Sequence, residues 1–84
     1  MNTVRYFVQC TNKEGKLIYG CDSEDTTTID TLLVLEDEEF DESTRFVLEA
    51  FVDAQLVFTS KELHPDKRND AFNKAELAVE KAIS

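Results

Sequence analysis

The chain has 84 residues, 42% of them hydrophobic, and its eighteen acids against nine bases give a formal net charge of -9. That length holds one domain with one small core, and the apolar content is that of a folded protein and not of a disordered tail. The excess of carboxylates disfavours affinity-driven binding to DNA or RNA, which needs Lys and Arg against phosphate, and disfavours an anionic membrane surface for the same reason.

No apolar run approaches the ~20 residues of a membrane span. The segment Met1-Asn2-Thr3-Val4-Arg5 lacks the apolar core of a secretory signal, so a cytoplasmic location is expected.

Thr3–Cys10 and Lys16–Cys21 are rich in β-branched and aromatic residues and flank Asn12-Lys13-Glu14-Gly15, the pattern of a β-hairpin. A turn with Gly15 in the left-handed position sets Thr11 against Lys16, Cys10 against Leu17, Val8 against Tyr19 and Tyr6 against Cys21. Val4, Tyr6, Val8, Cys10, Leu17, Tyr19 and Cys21 then share one apolar face, and Arg5, Phe7, Gln9, Lys16 and Ile18 the other. In that register the two cysteines lie roughly 13 Å apart, too far for a disulfide, and both read as reduced core residues.

Thr27–Glu36 follows a polar connection and reads as a third strand, with Ile29, Thr31, Leu33 and Leu35 on one face; its Thr-rich start favours strand over the helical alternative. Six acids in seven positions come next, Glu36 to Glu42 around Phe40. Asp41 or Ser43 is placed to cap a helix from about 42 to about 61, with Phe46, Val47, Ala50, Phe51, Ala54, Val57 and Phe58 as its stripe and Leu48, Val52 and Leu56 as a second apolar row. Pro65 and Asp66 open a last helix, about 66 to 83, with Ala71, Phe72, Ala75, Ala78, Val79, Ala82 and Ile83 on one face. The expected fold is therefore α+β: an N-terminal hairpin plus a third strand, with two C-terminal helices on one face of the sheet.

The charge is unevenly placed. Residues 1–21 sum to +2 and residues 54–84 to zero, whereas residues 22–53 hold twelve acids and Arg45 alone, a sum of -11. Folding of that stretch onto one side would make an acidic patch able to stand in for a nucleic-acid backbone. The candidate partner-binding residues are Glu24, Asp25, Asp30, Glu36, Asp37, Glu38, Glu39, Asp41 and Glu42, with Phe40 as an apolar anchor. The competing reading is a solvated loop and helix start, whose acids help solubility and complement a helix dipole. A calcium loop starting at Asp37 would need a glycine where Glu42 stands and a carboxylate where Leu48 stands. One histidine and two distant cysteines do not make a four-ligand zinc site. No phosphate loop, nucleophile elbow or metalloprotease helix occurs, so neither catalytic residues nor cofactor is expected.

His64-Pro65-Asp66-Lys67 resembles the tetrapeptide of J-domain co-chaperones, and Phe72, Ala75, Ala78, Val79 and Ala82 are similar to the apolar rhythm of that family's third helix. The resemblance covers about 41 to 84 and implies a loop between two antiparallel helices, with His64, Pro65 and Asp66 acting on an Hsp70. Departures are a preceding segment with only Arg45 and Lys61 as bases, a shorter loop and the foreign N-terminal hairpin. The leading expectation is a non-catalytic binding protein that blocks a basic surface of a nucleic-acid-handling protein, as small acidic phage or mobile-element inhibitors of restriction and CRISPR systems do. A J-like module and a homodimer or subunit, joined through the extra apolar row of residues 46–58, are the alternatives.

Overall fold

A computed structural model describes residues 2–84. The fold is mixed α+β: a four-stranded antiparallel sheet and two α-helices. Strands β1 (Val4–Thr11) and β2 (Leu17–Ser23) form the first hairpin, and α1 (Thr26–Leu35) follows. A 3-10 turn at Asp37–Glu39 leads to β3 (Arg45–Val52) and β4 (Gln55–Thr59); a second 3-10 turn at Pro65–Lys67 runs into α2 (Arg68–Ile83). The sheet order is β2-β1-β3-β4. Among the described residues no helix is long and apolar enough to cross a membrane.

Two expected elements exchange type. The expected third strand over 27–36 is instead helix α1 with Glu36 as its C-cap, and residues 42–61 contain the β3–β4 hairpin and not a helix. The topology explains the first correction. β1 pairs with β2 on one side and β3 on the other, so both its edges are filled. Both partners run antiparallel to β1 and hence parallel to each other, and parallel strands need a long crossover connection, here supplied by α1. Locally, Asp25 caps the helix by accepting the Thr28 N–H at 2.7 Å, and Thr31 donates its hydroxyl back to the Thr27 carbonyl at 3.1 Å. That back-bond satisfies one hydroxyl of a Thr-rich helix start.

The second correction follows from alternation. Phe46, Leu48, Ala50 and Val52 are buried at every second position of β3, the strand period. Asp53 and Ala54, both at positive φ (50° and 67°), form the two-residue turn into β4.

The first hairpin forms with Tyr6, Val8, Cys10, Tyr19 and Cys21 on the core face as expected, but its pairing is displaced, and Leu17, expected on that face, lies opposite Thr11 and is exposed. Cys10 lies opposite Tyr19, Val8 opposite Cys21 and Tyr6 opposite Ser23. A register break between Cys10 and Thr11 absorbs one extra residue of β2. Asn12 takes the turn's N–H groups, accepting from Glu14 and Lys16 at 3.0 Å each on its side chain. The displacement makes Cys10 and Cys21 diagonal neighbours, closer than the expected separation, and both are free thiols.

One core unites the elements. Tyr6, Val8 and Cys10 of β1 and Phe46, Leu48, Ala50 and Val52 of β3 pack with Ile29 and Leu33 of α1 and with Ala71, Phe72, Ala75 and Val79 of α2. The helices are clasped by two polar contacts: Thr26 donates its hydroxyl to Glu76, and Arg68 Nε meets Asp30 Oδ1 at 2.6 Å.

Candidate functional site

The acids do not form one row. Glu24 and Asp25 stand at the start of α1, and Glu36 to Glu42 at its end. At about 1.5 Å per residue the ten-residue helix separates these groups by roughly 15 Å. Asp30 is withdrawn from the surface charge by its ion pair with Arg68. Asp22 pairs with Arg5 across the first hairpin, and Asp53 accepts from Asn2 and Thr3 at the β3–β4 turn. The dense group is therefore the run Glu36–Glu42, at one end of one short helix.

Backbone bonds shape this run into a knuckle. The Glu36 N–H closes α1 on the Leu33 carbonyl at 3.1 Å. Glu39 N–H then donates to Glu36 O at 2.9 Å and Phe40 N–H to Asp37 O at 3.1 Å. Phe40, the expected apolar anchor, is half-buried and packs against the core. Asp41 organises the exit: its carboxylate accepts the Ser43 hydroxyl at 2.6 Å and the Ser43 N–H at 2.8 Å, and its own N–H donates to the buried Thr44 at 2.9 Å. These bonds hold the Asp41 carboxyl below the usual carboxylate range, the Ser43 hydroxyl contributing most. The Thr28 N–H does the same for Asp25.

His64 fixes the knuckle to the second half of the chain. Its Nδ1 accepts the Asp66 N–H at 3.1 Å, which leaves Nε2 protonated to donate to the Asp41 carbonyl at 3.0 Å. Pro65 is buried. The tetrapeptide thus follows a strand and opens a helix, and the helical hairpin that the J-domain resemblance implies is absent from the described residues.

The electrostatics of the knuckle run against helix stability. The C-terminal end of a helix is its negative pole, where cations stabilise and acids do not. α1 ends on Glu36 and the three acids of the 3-10 turn, with no basic residue in its last turn. Among the described residues no carboxylate from Glu36 to Glu42 is in an ion pair. The neighbouring Arg45 spends its guanidinium on the Glu42 and Thr44 carbonyls, at 3.0 and 2.8 Å. Complementation of the α1 dipole therefore does not account for this run.

Leu35 does not share the face of Ile29 and Leu33 expected of it in a strand: in α1 it lies about 200° around the axis from Leu33 and is 72% exposed. Val34 beside it is also exposed. The i, i+4 spacing of Ile29 and Leu33, read with a helical period, is the signal that separates them from Leu35. No protein-family model, curated protein or solved structure matches this chain.

Proposed function

We propose that this chain is a non-catalytic binding protein that docks its acidic knuckle on a basic, nucleic-acid-binding surface of a partner protein. The observation that carries the proposal is the run Glu36–Glu42. Its carboxylates have no cation partner among the described residues, stand at a helix's negative pole and sit beside the exposed Leu35. A structural role does not account for acids placed where they oppose the helix dipole.

The mechanism is competition. Asp37, Glu38 and Glu39 radiate about 120° apart from a single 3-10 turn, so they offer Arg and Lys side chains a compact cluster of negative charge and not a linear row. Leu35 supplies the desolvated apolar contact that carboxylates alone lack. Inhibitors of restriction or CRISPR machinery made by phages and mobile elements act in this manner, and we assign the chain to that functional type, working in the cytoplasm without a cofactor.

The test is capture of a nucleic-acid-handling protein on the immobilised chain, with release by competing DNA or RNA and by rising salt. Glu38→Lys with Glu39→Lys is expected to abolish capture and to leave the circular dichroism spectrum unchanged. Undiminished capture by that variant overturns the proposal.

A further inference from the structure

This acidic molecule carries an ordered row of cations on α2. Lys67 caps the helix, and Lys74 and Lys81 follow at seven-residue intervals, all three exposed. Seven residues fall about 20° short of two full turns, so these lysines stand nearly in line on one flank, roughly 10 Å apart. Among the acids of α2, Asp70 alone shares that flank, and it pairs with Lys74 at 3.1 Å. Glu76 and Glu80 lie more than about 100° around the axis, on the flank toward Tyr6, where Thr26 holds Glu76.

The row borders a groove of about 400 Å³ between α2 and the chain leaving β4. Phe58, Leu63 and Ala71 give it apolar walls, and Lys61 lines it together with Lys74 and Asp70. Leu77, 64% exposed, stands about one turn beyond Lys74. The acidic run reaches the same end of the sheet through the bond from His64 to Asp41, but none of its carboxylates lines the groove. Lys74 and Lys81 lie roughly 10 and 21 Å farther along the helix than Lys67.

We propose that this flank of α2 docks an acidic, amphipathic helix of a partner protein. Four lysines facing one acid select an anionic partner. The net charge of -9 selects its kind. That charge repels a nucleic acid or an anionic membrane, both extended polyanions, whereas a single helix has only to match the row locally. Carboxylates at heptad spacing repeat every ~10 Å, the interval of the lysines, and apolar residues beside them meet Leu77 and the groove. A second copy does not fit. A two-fold axis across α2 sets Lys74 against its own counterpart and Lys67 against Lys81. The copy's acidic knuckle is built on a three-residue 3-10 turn, too short to span the roughly 21 Å of the row. The surface is independent of the knuckle, and its failure would not touch the proposed function.

Fluorescence anisotropy of the full chain with a rhodamine-labelled model helix tests the proposal. The probe is about three heptads long, with glutamate at every seventh position beside a row of leucines. It is expected to bind, and to bind less well as salt rises. Lys74→Glu is expected to weaken binding at least about tenfold. Asp70→Asn is expected to tighten it about twofold, a gain that a misfolded variant cannot give. Glu38→Lys with Glu39→Lys, on the knuckle, is expected not to weaken it. Four outcomes overturn the proposal: no binding of the acidic helix, equal binding of its lysine-for-glutamate version, indifference to Lys74→Glu, or tighter binding of a single-stranded oligonucleotide or a phosphatidylglycerol vesicle.

Discussion

Arg68 reaches from the first turn of α2 to Asp30 in the middle of α1, Nε to Oδ1 at 2.6 Å, and also donates from Nη1 to the Pro65 carbonyl at 3.0 Å. One guanidinium thereby ties both helices to the turn that starts α2. The Asp30 side chain is 42% exposed, so solvent screening keeps the pair's contribution to about 1 kcal/mol or less. Asp30→Ala is expected to lower the urea midpoint by that amount. Arg68→Ala should cost more, because the Pro65 carbonyl loses its donor too. The double variant should cost less than the two added together, which a double-mutant cycle measures directly.

The β3–β4 turn holds a correctable strain. Ala54 sits at φ 67°, a conformation that costs a residue with a Cβ about 1 kcal/mol relative to glycine. Ala54→Gly is expected to raise stability by about 0.5–1 kcal/mol after the extra freedom of glycine in the unfolded chain is subtracted. Thermal unfolding followed by circular dichroism checks it; a lower midpoint would contradict the assignment of this turn.

The same turn shows why half of the fold was legible in the sequence and half was not. The first hairpin and α2 each carry one period and clear punctuation, Gly15 in the turn and Pro65 at the helix start, and both formed where expected. Between Phe46 and Val52 every residue but Glu49 is apolar, so the stretch satisfies a period of two and a period of 3.6 equally. An Asn-Gly or Asp-Gly turn would have broken the tie, but Asp53-Ala54 hides it. What remained was composition: Phe46, Val47, Phe51, Val52, Val57 and Phe58 are β-formers. For α1 the four threonines point the other way, and only the Asp25 cap and the occupied edges of β1 decide for helix. The acidic run itself was visible as sequence. Its position at the negative pole depends on α1, so the sequence without that helix does not separate it from acids that complement a dipole.

His64 is expected to be structural. His64→Ala removes the acceptor for the Asp66 N–H and the donor to the Asp41 carbonyl, and should cost about 1 kcal/mol, the range of a lost helix cap. Amide hydrogen exchange should show the loss at residues 41–44 and at the start of α2. In the same preparation, wild-type stimulation of an Hsp70 ATPase that His64→Gln abolishes would instead support the J-like alternative.

Stability should fall at both ends of the pH scale, for different groups. Asp25, Asp41 and Asp53 have carboxyls held below their ordinary 3.8 by N–H and O–H donors. Their stabilisation is present above that value and is lost as pH falls through the lower folded values. Burial pushes the Cys10 thiol up from 9.0 to about 11, and burial with the nearby Cys21 pushes Tyr19 up from 10.0 to about 12. A raised acid is more stable folded while protonated, so this contribution is complete below pH 9 and disappears as pH rises through those folded values. Urea midpoints across the pH range should trace a plateau with both shoulders. In Cys10→Ala the plateau should be lower, from lost packing, and the alkaline shoulder shallower.

The knuckle offers the sharpest separation of function from stability. Glu36, Asp37, Glu38 and Glu39 lie at the negative pole of α1 with no cation in its last turn, so each repels the helix carbonyls and its neighbours. Removing that repulsion must help folding. Glu38→Gln is expected to raise stability slightly, and Glu38→Lys by about 0.3–1 kcal/mol at low salt, fading as salt screens the dipole. The same substitutions should weaken binding to a basic partner, with Glu38→Lys worse than Glu38→Gln. Acids retained for solubility alone would show the stability gain with no binding loss. Acids serving α1 would lose stability when replaced. Only residues kept for contact trade stability for affinity in this direction, and denaturation with partner binding measured on the same three proteins distinguishes the cases.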